Sequence, residues 1–599
     1  MNYKFHLKIT YILAGIVFIG LISWNFYFED EFDPFREPYS SSDFTERQVE
    51  SVGADNTESN EREEDAEVEV YGVSAVHPLA ADVGMQIIED GGNAIDAAVA
   101  VSFMLNVVEP YGSGIGGGGM MLYHDPEEGV VSYDYREAAA ESEAWPERSV
   151  AVPGLVKGME QVHENHGKLE WERLLEPAVE VAEEGFQIGE IFHQQTGNAV
   201  RYLELNPQES ELFFPGGQTL EVNNTLVQTE LAETLKLIRE NRADGFYSGE
   251  IGEALQQELG FTSEDLEAYD VQITEPAMAD MGDQVIYGGS SPSSGTVVLQ
   301  ALQLTEKINM QEVLPDEDIP EDISMGDLVN HEELQHIYMH LINEISKVTY
   351  SHRVDTLGDP GFDVIDHNAL MSNEYIDSML DEISYDEVTD IDTSTLFDSP
   401  SEKNDSRHTT HFVIVDKEGR MVSATHSLGE FYGSGRYTKG FFLNNQLDNF
   451  SQVDDSINRY EPGKRPRTFV SPIIFEEQGK PVLGLGTPGG RRIPAMLFQS
   501  IMQYHYALND QGDLLSLQEA IELPRFYNDE EVIYIEEALP EETVEHLRNM
   551  GYSVIGHESP LFYGGIQGLG VILDDNGVTQ GMYGGGDPRR NGAWQIDGE

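Results

Sequence analysis

No cysteine occurs in the 599 residues of this chain. Disulfides, thiolate metal sites and lipid attachment through a thiol are therefore excluded. Basic residues are scarce as well. Lys and Arg number 34 against 109 Asp and Glu, a formal net charge of −75. Such a surface repels nucleic acid and anionic lipid, so no nucleic-acid partner is expected. The self-repulsion is screened at molar salt, where the Debye length falls to about 3 Å, and the charge is read as adaptation to a salty environment. Hydrophobic residues still make up 40% of the chain. That is enough to build a core, and the length suits one large domain or a few ordinary ones.

Long apolar runs are also rare. The exception is "ITYILAGIVFIGLISWNFYF", residues 9–28, without charge between Lys8 and Glu29. Twenty apolar residues match the length needed to cross a bilayer. Lys4 and Lys8 before the run and "EDEFDPF" after it place residues 1–8 in the cytoplasm and the bulk of the chain outside. A cleaved signal peptide would have a shorter run and an A-x-A-like site, which is missing here. The expectation is an uncleaved, single-pass signal anchor in the cell membrane with an extracellular domain. Residues 29–68 are acidic and without period, as in a solvated tether.

From residue 69 the pattern becomes globular. "YGVSAVHPLAADVGMQIIEDGGNAIDAAVAVSFMLNVV" combines a short strand with two helical patterns split at Gly91-Gly92. The acidic stretches 311–323 and 376–406 are expected as surface loops. Several motifs carry no chemistry. "GSGIGGGGMM" lacks the Lys-Ser/Thr of a phosphate loop and is expected as a tight turn. "HEELQH" spaces its histidines by five where a zinc helix needs four, and is expected as a solvated helix. "GSGRYTKGFF" is expected as a loop entering a strand.

"SRHTTHFVIVD", residues 406–416, behaves differently. Together with "RMVSATH" it predicts two strands joined by a tight turn at Lys417–Gly419, with Thr409 at the start of a central strand. A threonine becomes a competent nucleophile when its own α-amino group, freed by chain cleavage, serves as base. That group titrates near pH 8 in model peptides. The acidic loop before it then becomes a segment to be cut and moved aside. A Thr-rich strand edge without chemistry fits the same pattern.

Resemblance separates the two. "TTHFVIVDKEGRMVS", "SGIGGGGMM", "YREAAAE", "FFLNNQLDNF" and "TPGGRRIP" occur in the order and at the spacing of the γ-glutamyltranspeptidases, and the resemblance runs from Tyr71 to Trp594. It implies an α+β fold, the four-layer αββα sandwich of the N-terminal nucleophile hydrolases, preceded here by the transmembrane helix. It also implies self-cleavage between His408 and Thr409 into a large subunit, 69–408, and a small subunit, 409–599, which stay together as a heterodimer. Thr409 would attack the γ-carbonyl of a glutamyl group, and Ser427 would hydrogen-bond beside it. Gly489 and Gly490 would offer N–H groups to the oxyanion, Arg136 would grip the substrate α-carboxylate, and Gln446 would add a polar contact. Water or an amine would be the acceptor. No metal or organic cofactor is implied.

Departures from the family pattern bear on substrate. Asn449 stands where glutathione-type members have an Asp for the substrate ammonium, Gly429 where they have Asn, and Thr468-Phe469 where they have Ser-Ser. An internal residue of poly-γ-glutamate has no free ammonium, and a buried carboxylate without a partner is costly. Lys464, Arg465 and Arg467, with Arg491-Arg492 and Arg589-Arg590, read either as charge pairs or as a cationic groove for a polyanion. The chain resembles the capsule poly-γ-glutamate depolymerases of bacilli, which implies Arg492 and Arg590 as substrate-binding residues. The expected function is cleavage or transfer of poly-γ-glutamate. The alternatives are a γ-glutamyltransferase acting on glutathione and other small compounds, and a non-catalytic capsule-binding scaffold.

Overall fold

The computed structural model describes residues 69–315, 320, 323–389, 397–400 and 407–598, and of Arg407 and His408 the backbone alone. The expected anchor and tether lie outside the described residues. Among those described, no helix is long and apolar enough to cross a membrane.

Two sheets organise the chain. The first takes β1 (Val70–Ala75), β2 (Gly118–Asp125), β3 (Gly129–Asp134), β4 (Gln272–Thr274), β7 (Arg407–Val415), β8 (Met421–Glu430) and β13 (Ala593–Gly598). The second takes β5 (Ala277–Met281), β6 (Gln284–Gly288), β9 (Ile473–Glu477), β10 (Lys480–Gly486), β11 (Gln567–Leu573) and β12 (Thr579–Gly586). Their strand orders are β13-β1-β7-β8-β2-β3-β4 and β12-β11-β10-β9-β6-β5.

Side-chain alternation stacks the layers. Along β7, Phe412 and Ile414 join the core beneath the helices, whereas Val413 and Val415 meet Ile474, Leu569 and Met582 of the second sheet. Period two is what a strand buried on both faces requires. Over the outer face of the first sheet lie α1 (Pro78–Glu89), α2 (Ala94–Val108), α3 (Leu155–His166), α4 (Trp171–Glu184) and α5 (Thr229–Asn241). Every residue of α2 is buried. That helix starts at a reciprocal cap between Asn93 and Asp96, one residue after Gly91-Gly92. The second sheet is covered by α6 (Gly295–Lys307), α7 (Gln335–Thr356) and α8 (Ile493–Tyr506).

The β7–β8 turn is built on Asp416. Its Oδ1 accepts from the N–H groups of Glu418 and Arg420, both at 3.0 Å, and its Oδ2 from Ala94 N–H at 2.9 Å. The turn is thereby tied to the start of α2. Three expectations change. His336 opens the long helix α7 and stacks on His546, with ring centroids 4.3 Å apart, so it is not simply solvated. "RYTKGFF" forms a two-residue hairpin, Tyr437–Thr438 against Phe441–Phe442. Helices Met310–Val313 and Asn373–Leu380 enter the two stretches expected as loops, and Phe397 and Asp398 are buried.

Candidate active site

Thr409 lies on the same face of β7 as His411 and Val413, which points it between the sheets. Its partner across the ladder is Ser427 on β8, whose neighbours Ser423 and Thr425 share that face. The register slips by one residue between Ser427 and Gly429, and Ser427 Oγ accepts from Gly429 N–H at 2.9 Å. Such a bulge re-aims side chains at a strand end. Gly429 has φ +97°, and a Cβ there would lie 2.1 Å from Asn445 Oδ1.

A cavity of about 240 Å³ opens at this point. Thr409, Ser427 and Gly429 line it from the first sheet, Gln446 and Asn449 from the turn Gln446–Asn449, and Thr468, Phe469 and Gly490 from the second half of the chain. Val470 and Ile493 also line it, and among the described residues the lining contains no carboxylate. Thr409 Oγ1 is buried and has no hydrogen-bond partner among the described residues. An orphaned buried hydroxyl is rare unless something else engages it.

The opposite wall follows β10. After Gly486 the chain passes through Thr487-Pro488 into Gly489 and Gly490, with φ +149° and +59°. Only glycine takes two such conformations in succession without strain. The turn closes with Arg492 N–H donating to Gly489 O at 3.2 Å, directly before α8.

Two imidazoles support the nucleophile strand. His411 Nδ1 pairs with Thr425 Oγ1 at 2.8 Å, and His426 Nε2 with the Tyr135 hydroxyl at 2.7 Å. Burial pushes both down to about 3, helped at His411 by the charge of His426. Both are neutral at working pH, so neither carries charge beside Thr409.

The arginines divide. Arg136 does not line the cavity. Its Nε and Nη2 close on Asp134 at 3.0 and 2.6 Å, and its Nη1 donates to Pro466 O at 2.7 Å. Of the two readings of "GKRPRTF", charge pairs or a cationic groove, the structure shows the charge pairs. Lys464 pairs with Asp363 and Glu461, Arg465 donates to the carbonyls of Arg136 and Asp270, and Arg467 pairs with Asp398, all three being buried. These cations hold loops together instead. Arg491 pairs with Asp529, and Arg589 with Glu536 and Asp587. Arg492 and Arg590 are buried just beyond Gly490. Arg492 stacks over Phe562 at 4.4 Å, and Arg590 donates to Gly564 O and Leu561 O. Burial lowers each to about 10, and the nearby Arg492 guanidinium depresses Arg590 further. The Phe469 ring packs against Tyr350 and Phe397, with Arg353 above it at 3.7 Å.

Sequence reasoning passed over Asn445, although "FFLNNQ" contains it. Its Oδ1 accepts from Glu430 N–H at 3.0 Å and fills the space beside Gly429. It also passed over Glu109, which accepts from the Tyr111 hydroxyl at 2.8 Å and is pushed up to about 8 by burial, against the pull of that bond and of Arg590.

Comparison with known proteins places these features in a family. A family model described as Gamma-glutamyltranspeptidase matches residues 80–596. The capsule biosynthesis protein CapD proenzyme of Bacillus anthracis is 37% identical over 527 residues, which is 88% of this chain and 91% of the relative. The glutathione hydrolase proenzyme of Bacillus subtilis (strain 168) is 31% identical over 562 residues, 87% and 90% of the two chains. Among solved structures, the cephalosporin acylase from Bacillus halodurans matches with a TM-score of 0.74 at 23% identity, covering 90% of this chain and 98% of that one, a likeness of fold.

Proposed function

Because the chain belongs to the gamma-glutamyltranspeptidase family, we propose that it cuts itself between His408 and Thr409 and then uses Thr409 to cleave or transfer poly-γ-glutamate. Both relatives named above are proenzymes, which supports processing. Cleavage of the His408–Thr409 peptide frees the Thr409 α-amino group, and this amine takes the proton from Oγ1 as the hydroxyl attacks a γ-carbonyl. The oxyanion forms towards Gly489 and Gly490, whose missing Cβ atoms let the backbone N–H groups come close. The leaving amine takes the proton, and a γ-glutamyl ester remains on Thr409. Water or a second amine then attacks that ester. Ser427, directly across the ladder, is proposed to hydrogen-bond beside Thr409 once the chain is cut, and Gln446 and Thr468 to offer polar contacts to the substrate.

Processing leaves the two subunits interleaved. In the first sheet β1 of the large subunit lies between β13 and β7 of the small one. Their separation would require breaking four ladders at once, β13–β1, β1–β7 and β8–β2 in the first sheet and β9–β6 in the second. Arg492, in the turn that begins at Gly490, and its neighbour Arg590 are the cations proposed to meet carboxylates of a bound polymer. The N-terminal run 9–28 is proposed to hold the domain at the outer face of the membrane.

The observation that carries the polymer reading is the cavity lining, which among the described residues lacks a carboxylate. A free α-ammonium would find no counter-charge beside Asn449, whereas the acylated nitrogen of an internal polymer residue needs none. Small γ-glutamyl compounds are the second reading, favoured by the small volume and by the glutathione hydrolase relative. Poly-γ-glutamate and glutathione offered side by side in high salt, with Thr409→Ala as control, distinguish them. Shortening of the polymer with glutathione nearly untouched is expected. Rapid glutathione cleavage with intact polymer would reverse the order of the readings. The control should remain one uncut, inactive chain by intact mass; two fragments meeting at Thr409 would rule out self-processing by this residue.

A further inference from the structure

Four buried polar atoms around the start of β7 have no hydrogen-bond partner among the described residues. They are Oγ1 of Thr409, Oγ1 of Thr410, Nε2 of His411 and Nδ1 of His426. The two-residue period of the strand sorts them by face. Thr410 and His426, paired across the ladder, turn towards the helices with Phe412, against which the His426 ring packs. Thr409 and His411 turn the other way, between the sheets. Their Cα atoms are about 7 Å apart, two residues of extended chain. The His411 ring reaches across to the second sheet and lies against Gly486, where a Cβ would come within 2.1 Å of its Cε1. Gly486 ends β10, three residues before Gly489. This fully buried imidazole thus stands between the nucleophile strand and the root of the glycine turn.

Self-cleavage poses a proton problem that later turnovers do not. Before the cut, the Thr409 nitrogen is an amide, whose lone pair is delocalised into the carbonyl and cannot take the Oγ1 proton. The described lining of the cavity offers the hydroxyls and amides of Ser427, Gln446, Asn449 and Thr468, and no carboxylate. On the inner face of β7 and β8 stand Thr409, His411, Val413 and Val415 opposite Ser427, Thr425, Ser423 and Met421. Among these only His411 has a basic lone pair. Its Nδ1 meets Thr425 Oγ1 at 2.8 Å. With the hydrogen on Nδ1, donated to that hydroxyl, Nε2 is an acceptor. Burial keeps the ring neutral, so this lone pair stays free at working pH.

We propose that His411 is the positioning residue of self-cleavage: its Nε2 holds a water molecule against Thr409 Oγ1, and this water carries the proton to the departing nitrogen. The role rests on the self-cleavage reading. The water accepts from the Oγ1 hydroxyl and donates to His411 Nε2 and to the Thr409 nitrogen, three bonds being usual for a buried water. Oγ1 attacks the carbonyl carbon of His408, and a C–O bond forms. As the C–N bond breaks, the water takes the Oγ1 proton and gives one of its own to the nitrogen. The products are an ester of His408 on Thr409 Oγ1 and a free amine, with the water restored. A second water hydrolyses the ester, which leaves the His408 carboxylate, the Thr409 hydroxyl and a proton released to solvent. From then on the α-amino group is the base.

The test follows cutting of the freshly produced full chain over time by intact mass. His411→Asn keeps an amide where Nδ1 meets Thr425 and has nothing at the place of Nε2. His411→Gln puts its amide oxygen at that place and gives up the contact with Thr425. Loss of one hydrogen bond to the water should slow cutting about tenfold in His411→Asn, whereas His411→Gln should stay within about threefold of wild type. A role confined to packing or to the Thr425 bond would reverse that order. Should His411→Asn fail to fold by circular dichroism, Thr425→Val carries the test. With no acceptor for Nδ1–H the ring divides between tautomers, and cutting should slow severalfold. Cutting at the wild-type rate in His411→Asn, or in Thr425→Val where that variant carries the test, would overturn the role of His411 and leave self-cleavage intact. So would a slower His411→Gln than His411→Asn. A wild-type chain that is never cut would overturn the self-cleavage reading and this role with it.

Discussion

Asn449 and Asn445 flank one short turn, and each sets a different property of the cavity. Asn445 occupies the space beside Gly429, so an Asn at position 429 could not be accommodated here without displacing it. The positive φ of Gly429 adds strain to any side chain at that position. Asn449 supplies an amide where an Asp would supply charge. Asn449→Asp is therefore the residue-scale test of substrate choice. A carboxylate in a buried cavity with no cation among its described lining residues is costly until an ammonium arrives to pair with it. The variant should gain in kcat/KM for glutathione by about tenfold or more relative to the polymer, the worth of one charge-assisted contact. Competition between the two substrates in one reaction measures this directly. An unchanged preference would mean that the head group is recognised elsewhere.

β7 and β8 carry the site and were legible because their signals are local. Alternation in "HFVIV", the Asp-Lys-Glu-Gly turn and the threonines at the strand start depend on near neighbours alone. The strand nonetheless begins at Arg407, ahead of Thr409. The roles of Lys464, Arg465 and Arg467 were not legible. Their partners Asp363, Asp359 and Asp398 are distant in sequence, and periodicity does not reach so far. The same two strands bury His411 and His426, neutral and pushed down to about 3. Below the ordinary value of 6.5 the unfolded chain takes up protons that the folded strands refuse. Their contribution is complete above pH 6.5 and is lost as pH falls towards about 3. Between pH 6.5 and about 4.5 this amounts to on the order of 2 kcal/mol per histidine. His77 and His505, lowered by burial to about 4, act in the same direction. Glu109 and Glu137, raised to about 8, act oppositely, their contribution being complete below 4.5 and lost as pH rises. The histidines outnumber them, so the urea midpoint should fall with acidification. His426→Gln should be less stable at neutral pH and visibly flatter in this profile. A slope identical to wild type would mean that His426 is already protonated in the folded chain.

Charge acts on the whole molecule. The few cations are drawn inward: Lys464, Arg465, Arg467, Arg525 and Arg590 are all buried, and Arg525 is locked to Asp587 in the interior. Buried pairs feel added salt weakly, because little of their field passes through solvent. What remains outside is more acidic than the composition alone conveys, within a net charge of −75. At 0.1 M salt the Debye length of about 10 Å lets neighbouring surface carboxylates repel one another, and at 1 M it falls to about 3 Å. Exposed ion pairs such as Arg173–Asp90 weaken as well, but pairs of this kind contribute at most about 1 kcal/mol each. Relief of repulsion among the excess carboxylates should exceed that loss. The unfolding temperature is expected to rise by at least a few degrees between 0.1 M and 1 M salt, equally in NaCl and KCl, with most of the gain below 1 M, where screening changes fastest. A rise seen only with sulfate would point to stronger apolar burial instead of screening. A fall would mean that surface ion pairs, and not the excess of negative charge, dominate the electrostatics of the fold.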